Sequence, residues 1–172
     1  AHSVERGGLI LGFYNPILGG LGGGEEGVAV LLTAGLIGTV MVYMPTTLCT
    51  CPTHPSFFCD TAPPILRLVS AVTATIARNT PLLFTVMTSP VGGPGTDTVL
   101  HECIAMATTA TACGASQLLG VRSAVGVVAN HCSGLEARFN AEVGHAAAGL
   151  GREEANRIVE QAVEKYKDQL GS

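Results

Sequence analysis

The chain has 172 residues, of which 47% are apolar and 13% are charged, and its formal net charge at pH 7 is −4. This balance argues against a nucleic-acid-binding protein, because phosphate contacts need clustered Lys and Arg side chains. Its two lysines, Lys165 and Lys167, lie near the carboxyl terminus, which leaves no candidate for a Schiff-base lysine or a phosphate-loop Gly-Lys-Ser/Thr motif.

The first part of the sequence predicts two short strands separated by a long apolar helix. Gly8–Phe13 is an apolar run, and the glycine-rich segment Gly19–Gly24 that follows it is typical of a loop. The acidic pair Glu25-Glu26 then opens an apolar helix that ends near Tyr43, since acidic side chains suit the positive end of a helix dipole. After it, the β-branched run Thr46–Thr50 predicts a strand.

The middle of the chain predicts two more helices, each followed by a strand. Apolar residues at helical spacing, with Pro near one helix start and Thr at the other, support both helices. The predicted elements are a helix from Asp60–Pro63 to about Arg78, a strand at Pro81–Met87, a helix from Thr96 or Thr98 to about Cys113, and a strand at Ser116–Val121. Val125–Ala129 is the alternative to the last strand.

Two helices are predicted at the carboxyl end, at Gly134–Ala148 and Arg152–Gln169. The last one is amphipathic, and it carries nine of the 22 charged residues of the chain. We therefore divide the chain into residues 1–150 and a terminal amphipathic helix, residues 151–172, that packs on them. The early region is so poor in charge that it is expected to pack against further protein or against lipid.

A strand, a glycine or proline loop and a helix recur about four times, which predicts a parallel sheet with right-handed crossovers. Four such βα units are half of an eight-unit TIM-type barrel, or a small doubly wound sheet. Because a half barrel leaves two open strand edges, we expect a partner: either the missing barrel half or another copy of the chain.

A membrane-associated module is an alternative interpretation. Gly27–Met44 is an uncharged run about as long as a bilayer-spanning helix. It contains Gly35 and Gly38, follows two glutamates and lacks flanking Lys or Arg, all of which argue against a span. With no secretory signal pattern, the six cysteines predict reduced thiols in a cytoplasmic protein.

One cluster has the residue types of a metal site. Cys49-Thr-Cys51-Pro-Thr-His54, with Cys59 further on, lies in a predicted strand-to-helix loop, the edge where barrel enzymes build active sites. Thiolate and imidazole are zinc ligands, and zinc there would supply a Lewis acid. However, the spacing matches no standard zinc module, so buried free cysteines beside a hydrogen-bonded histidine are the alternative.

The last third of the chain holds further candidate residues. Asn130-His131 lies at the carboxyl side of an apolar run, where chemistry is well placed, although a structural histidine is the alternative. Glu136 and Arg138 predict a capping and ion-pair feature of the following helix, or part of a rim that contacts a partner.

The most distinctive segments also fall there, in register with one family. They are Gly120-Val121 with Ser123-Ala124, Gly126-Val127-Val128, and Gly134-Leu-Glu136-Ala-Arg138 with Glu142-Val143. On the basis of these segments, the chain resembles the second half of the monomethylamine:corrinoid methyltransferases of methanogens. The resemblance extends from Ala1 to about Tyr166. The resemblance implies a TIM barrel that moves a methyl group from a methylamine to the cobalt of a separate corrinoid protein. It also implies that pyrrolysine lies upstream of Ala1 and that this chain binds no cofactor directly.

The resemblance also marks departures at the substrate site. Phe13, Met87 and Ser89 occupy positions where the family has an acidic residue, Gln and Tyr. An aromatic face can hold an ammonium group, which makes Phe13 and Tyr14 candidates, but the polar partners of the amine are replaced. We therefore expect a different methyl donor or lost activity. The remaining substrate-site candidates are Asn15, Asn130 and His131.

Overall fold

The computed structural model describes residues 2–171, in which four parallel strands alternate with helices. The strands are β1 (Leu11–Phe13), β2 (Thr47–Thr50), β3 (Leu83–Thr88) and β4 (Gln117–Val121). The helices are α1 (His2–Glu5), α2 (Glu25–Tyr43), α3 (Pro63–Asn79), α4 (Asp97–Ala112), α5 (Gly134–Ala147) and α6 (Arg152–Tyr166). Two short 3₁₀ turns, Ser123–Gly126 and Lys167–Gln169, follow β4 and α6.

The sheet has the order β1-β2-β3-β4, and every neighbouring pair is parallel. This arrangement confirms the predicted half barrel of βα units. The last strand is Gln117–Val121, so the alternative Val125–Ala129 is wrong: Ala124 and Val125 have positive φ angles of 51° and 48°, which end the extended backbone.

The two faces of the sheet have different surroundings. On one face, Leu48, Phe84 and Val86 join the buried core with side chains of the helices. On the other face, alternate residues such as Phe13 and Leu83 are each 46% exposed. This inner face is the surface that faces the centre of a closed barrel, and in this chain it is open.

A row of polar side chains crosses the inner face. The hydroxyl oxygens of Thr47 and Thr85 lie 3.1 Å apart, and the Thr85 hydroxyl donates to Oε1 of Gln117 at 2.9 Å. The row therefore ties β2, β3 and β4 together with side-chain bonds in addition to the backbone ladder.

The terminal helix α6 packs on α4 and is anchored by one aromatic residue. Tyr166 is fully buried, and its hydroxyl donates to the backbone oxygen of Thr61 at 2.5 Å, across 105 positions of sequence. This bond joins the carboxyl end of the chain to the loop before α3.

We expect Tyr166→Phe to lower the free energy of unfolding by about 1.5 kcal/mol, because it leaves the buried Thr61 carbonyl without its donor. Urea denaturation followed by circular dichroism measures this change. Tyr43→Phe is the matched control, since Tyr43 is 64% exposed and should change stability by less than about 0.5 kcal/mol. Equal effects of the two changes would contradict the anchoring role.

Helix α2 is long and apolar enough, by length and composition alone, to cross a membrane. One face of the helix packs on the hydrophobic core, since it carries the fully buried residues Val28, Leu32 and Leu36. Only 22% of the apolar stretch of α2 is buried, so the face opposite the core is apolar and exposed.

Candidate functional site

The carboxyl ends of the four strands meet at one edge, where parallel βα proteins place their chemistry. Asn15 follows β1, and its Oδ1 accepts a bond of 2.9 Å from the backbone N–H of Cys51, which follows β2. The Asn15 amide donates to the Thr53 hydroxyl at 3.3 Å. These bonds fix the first two loops against each other.

A buried carboxyl group joins the loops after β2 and β3. Asp60 Oδ1 accepts the backbone N–H of Ser89 at 2.7 Å, and Asp60 Oδ2 accepts the thiol of Cys51 at 3.1 Å. The Cys51 sulfur also lies 3.2 Å from the Ser89 hydroxyl. We call Cys51, Asp60 and Ser89 the edge cluster; all three are at most 2% exposed.

The edge cluster contains an unusually weak acid. Burial raises the pKa of Asp60 to about 7, while the Ser89 N–H, the Cys51 thiol and the nearby Arg122 guanidinium act in the opposite direction. Burial, followed by the charge of Asp60, also raises the pKa of the Cys51 thiol. Near neutral pH the cluster therefore holds a thiol beside a carboxyl group that is partly protonated.

A second buried carboxylate holds the loop after β3. Glu102 of α4 accepts the Thr61 hydroxyl at 2.5 Å and the backbone N–H groups of Val91 and Gly92 at 2.9 and 2.8 Å. Burial raises its pKa, and these hydrogen bonds act in the opposite direction. Glu102 thus fixes the loops after β2 and β3 by hydrogen bonds and does not reach the inner face of the sheet.

The predicted zinc cluster is not assembled. Among residues 2–171, no three His, Cys, Asp or Glu side chains are placed to hold one metal ion. Cys51 is bonded within the edge cluster, whereas the His54 ring stacks on Phe57 at a centroid distance of 4.4 Å. Cys49 and Cys59 are buried, and burial raises their pKa values, that of Cys49 to about 11. This geometry gives no support to a zinc-dependent methyltransferase.

Thiol reactivity tests this arrangement of the cysteines. We expect one thiol of the native protein, Cys132, to react quickly with a disulfide reagent at pH 8, because it is the exposed one. The half-buried Cys113 should follow slowly, and all six thiols should react in urea. Mass spectrometry of the labelled peptides identifies the sites; fast labelling of Cys51 would contradict its burial in the edge cluster.

The substrate-site candidates from the sequence divide into two groups. Phe13 and Met87 lie on the inner face near the carboxyl edge, with Asn15 and Ser89 beside them. Tyr14 faces the other way: its ring lies over Gly35 of α2, so close that a Cβ atom there would fall 2.3 Å from the ring. Its aromatic face is therefore not available on the inner side.

The candidates after β4 form an exposed loop. Asn130 has a left-handed φ of 56°, and His131 lies close to Gly93 of the neighbouring loop. Glu136 closes a capping box with Ser133 at the start of α5 and accepts the Gly95 N–H at 3.3 Å, whereas Arg138 pairs with Glu142 at 2.7 Å. Glu136 is 4% exposed, so it holds the loops together and does not present its charge on the rim.

Sequence reasoning missed Asp60 and Arg122. The pattern Asp60-Thr-Ala-Pro63 indicates a helix start, but Ala62 is the residue at the N-cap, and Asp60 accepts a hydrogen bond from the Ser89 N–H instead. The available signal was a lone carboxylate directly after a predicted strand and loop in a region almost free of charge. Arg122 gives a comparable signal, because it is a single charged residue directly after β4.

Four parallel βα units with a polar cluster at their carboxyl edge define half of a βα barrel. The family model for "Monomethylamine methyltransferase MtmB" matches residues 1–172. The chain belongs to this family, and the resemblance predicted from the sequence is confirmed.

Individual relatives agree with this assignment. The chain is 32% identical over 172 residues to monomethylamine methyltransferase MtmB2 of Methanosarcina acetivorans, covering 100% of the chain and 38% of that protein. It is 31% identical over 167 residues to MtmB of Methanosarcina mazei, covering 97% of the chain and 36% of that protein. The chain therefore spans well under half the length of these relatives.

Two solved structures share the fold. The crystal structure of the Methanosarcina barkeri monomethylamine methyltransferase superimposes with a TM-score of 0.96 at 32% identity, over 99% of this chain and 37% of that one. The crystal structure of the hydroxylamine MtmB complex gives the same values. The half barrel is therefore the later part of a TIM-barrel fold.

Proposed function

We propose that this chain is the later barrel half of a methylamine methyltransferase, which moves a methyl group from a methylamine-type donor to the cobalt of a corrinoid protein. The observation that carries the proposal is the superposition at a TM-score of 0.96 over 99% of the chain. Relatives in methanogens support a cytoplasmic protein. The other barrel half, with the pyrrolysine of the family, and the corrinoid protein are the proposed partners.

The open inner face supplies the donor site in this proposal. Phe13 offers a π face to an ammonium group, and Met87 offers an apolar contact to the methyl group. Asn15 is the exposed polar group at the same edge, while Ser89 and Asp60 lie beneath it. With no exposed carboxyl group in this set of residues, we propose a donor that is held more by apolar contact than by ion pairing.

The rim around this edge fits a large partner with an apolar surface. Exposed apolar side chains lie in the loops after three strands, at Ile17, Leu21, Phe58, Val127 and Val128. Such a surface suits a docked protein better than bulk water. When bound, a reduced corrinoid would supply a nucleophilic cobalt for the methyl group, and the amine would leave as its bond to the methyl carbon breaks. In this proposal the residues of this chain position the donor and exclude water.

The test is methyl transfer by the protein that includes the upstream half. We expect transfer from a methylamine to a reduced corrinoid protein, followed by absorbance. Phe13→Ala should raise KM about tenfold, the loss of roughly 1.4 kcal/mol of cation–π and apolar contact. Leu83→Ala is the matched control: it is equally exposed on the inner face but lies further from the carboxyl edge. No transfer from mono-, di- or trimethylamine, or equal effects of both variants, would overturn the proposal.

A further inference from the structure

The inner face of the sheet is apolar where the strands approach the carboxyl edge. Phe13 of β1 is 46% exposed, Met87 of β3 is half-buried, and Leu119 of β4 is the ladder partner of Met87. None of the residues of β1, β2, β3 and β4 is an Asp, Glu, Lys or Arg. A molecule bound here therefore meets mainly aromatic and aliphatic side chains of this barrel half.

The polar side chains of this region already use their acceptors within the protein. The side-chain carbonyl of Asn15 accepts the Cys51 N–H at 2.9 Å, and that of Gln117 accepts the Thr85 hydroxyl at 2.9 Å. Asp60 is fully buried and bonded within the edge cluster. A primary ammonium group carries three N–H donors, and each one that loses water without gaining an acceptor costs free energy. Among the described residues, the inner face offers such a group no exposed carboxylate.

A fully methylated ammonium ion avoids this cost, because it has no N–H donor. The face of a phenylalanine ring attracts such a cation when the cation lies within about 6 Å of the ring centroid. Phe13 and Met87 belong to strands separated only by β2, so their strands lie about 10 Å apart across the sheet. The ring of Phe13 and the polarisable thioether of Met87 thus flank one space on the inner face.

The charge of the donor also decides how its methyl group leaves. Displacement breaks the methyl–nitrogen bond, whose electron pair departs with nitrogen, while the pair for the new bond comes from the reduced corrinoid of the proposed function. A protonated or fully methylated nitrogen departs as a neutral amine, whereas an unprotonated amine needs an added proton. Burial in an apolar site favours the unprotonated form of an ordinary amine. A quaternary nitrogen has no proton to lose, so it needs no acid in the site.

We propose that the donor site prefers quaternary ammonium ions, bound between Phe13 and Met87, and that the preference falls as methyl groups are replaced by hydrogen. This inference rests on the methyl-transfer function proposed above and names its substrate class. Tetramethylammonium is the simplest preferred donor. Protonated trimethylamine, with a single N–H, is an intermediate donor, and methylammonium is the poorest of the three.

Methyl transfer by the protein that includes the upstream half tests this order. We expect kcat/KM to fall about tenfold or more from tetramethylammonium to monomethylamine, with trimethylamine between them, because each N–H donor lacks an acceptor. Nuclear magnetic resonance of the released amine measures the rates. A value for monomethylamine that equals or exceeds that for tetramethylammonium would overturn the inference and leave the methyltransferase function intact.

Binding separates a failure of the inference from a failure of the proposed function. Absence of transfer from every donor would overturn the function, and titration calorimetry of the same protein without a corrinoid then decides the inference. Tighter binding of tetramethylammonium than of methylammonium supports the preference, whereas equal or weaker binding overturns it.

Choline and its uncharged carbon isostere, in which a tert-butyl group replaces the trimethylammonium group, separate charge from apolar contact. We expect choline to bind about fivefold more tightly, because only the cation is attracted by the ring face. F13L should reduce this ratio towards one, since leucine keeps apolar contact without a π face, and L83A should leave the ratio unchanged. Equal binding of the two ligands by the unaltered protein, or an unchanged ratio in F13L, would overturn the inference.

F13E should reverse the order of donors, because a carboxylate on the inner face accepts the N–H groups of methylammonium. L83E is the matched control, since Leu83 is equally exposed, at 46%, but lies further from the carboxyl edge, and the order should stay as it is. Circular dichroism checks folding, and M87Q, which adds an acceptor in a side chain of similar length, replaces F13E if that variant does not fold. An unchanged order in the folded variant, or a reversal by L83E, would overturn the inference.

Discussion

Glu102→Leu is expected to lower the free energy of unfolding by about 3 kcal/mol or more. The leucine leaves the N–H groups of Val91 and Gly92 and the hydroxyl of Thr61 without their acceptor, in a region where Glu102 is fully buried. Each buried donor without a partner costs about 1–3 kcal/mol. Urea denaturation at pH 7 measures the loss.

Two further variants separate the hydrogen bonds of Glu102 from general effects of substitution. Glu102→Gln keeps one carbonyl acceptor and should cost less than the leucine variant. Glu142→Leu removes an exposed carboxylate that pairs with Arg138, and it should change stability by less than about 0.5 kcal/mol. If Glu102→Leu and Glu142→Leu changed the free energy of unfolding equally, the three donors would have other acceptors.

Asp60 is expected to make the stability of the protein fall as pH rises towards neutrality. Its pKa is about 7 in the folded chain, above the ordinary value of 3.8, so the folded state binds the proton more tightly than the unfolded state. The resulting stabilisation is complete below about pH 4 and is lost as pH rises through about 7. Over that window the loss is at most about 4 kcal/mol.

Asp60→Asn isolates this effect, because the amide keeps the shape of the side chain and the acceptor for the Ser89 N–H but does not titrate. The stability of the unaltered protein minus that of the variant should fall between pH 4 and pH 8, as measured by urea denaturation at a series of pH values. A flat difference for Asp60→Asn would mean that its carboxyl group is solvated.

The fold was predictable because its signals are local. Glycine and proline loops separate short β-branched runs from helices, and Pro63 and Thr96 lie within one residue of the observed helix starts. The predicted strand Pro81–Met87 overlaps β3, and Ser116–Val121 differs from β4 by one residue. Strand and helix periodicities act over a few residues, so a single sequence carries them directly.

The edge cluster was not predictable, because it depends on contacts between distant residues. Cys51 reaches Asp60 across nine positions and Ser89 across 38, through the parallel register of β2 and β3. Cys49, Cys51 and His54 suggested zinc because thiol and imidazole groups, which are zinc ligands, lie close together along the chain. In the folded protein, burial and the bond to Asp60 determine the surroundings of the Cys51 thiol.

The polar row formed by Thr47, Thr85 and Gln117 affects how barrel closure responds to temperature. Covering aliphatic surface lowers the heat capacity strongly, whereas covering polar surface contributes with the opposite sign. When the other barrel half covers this row, the heat-capacity change is therefore expected to be smaller than for an aliphatic surface of equal size. Because association through apolar contacts weakens on cooling, association across the polar row should lose less of its free energy at low temperature than association across an aliphatic surface.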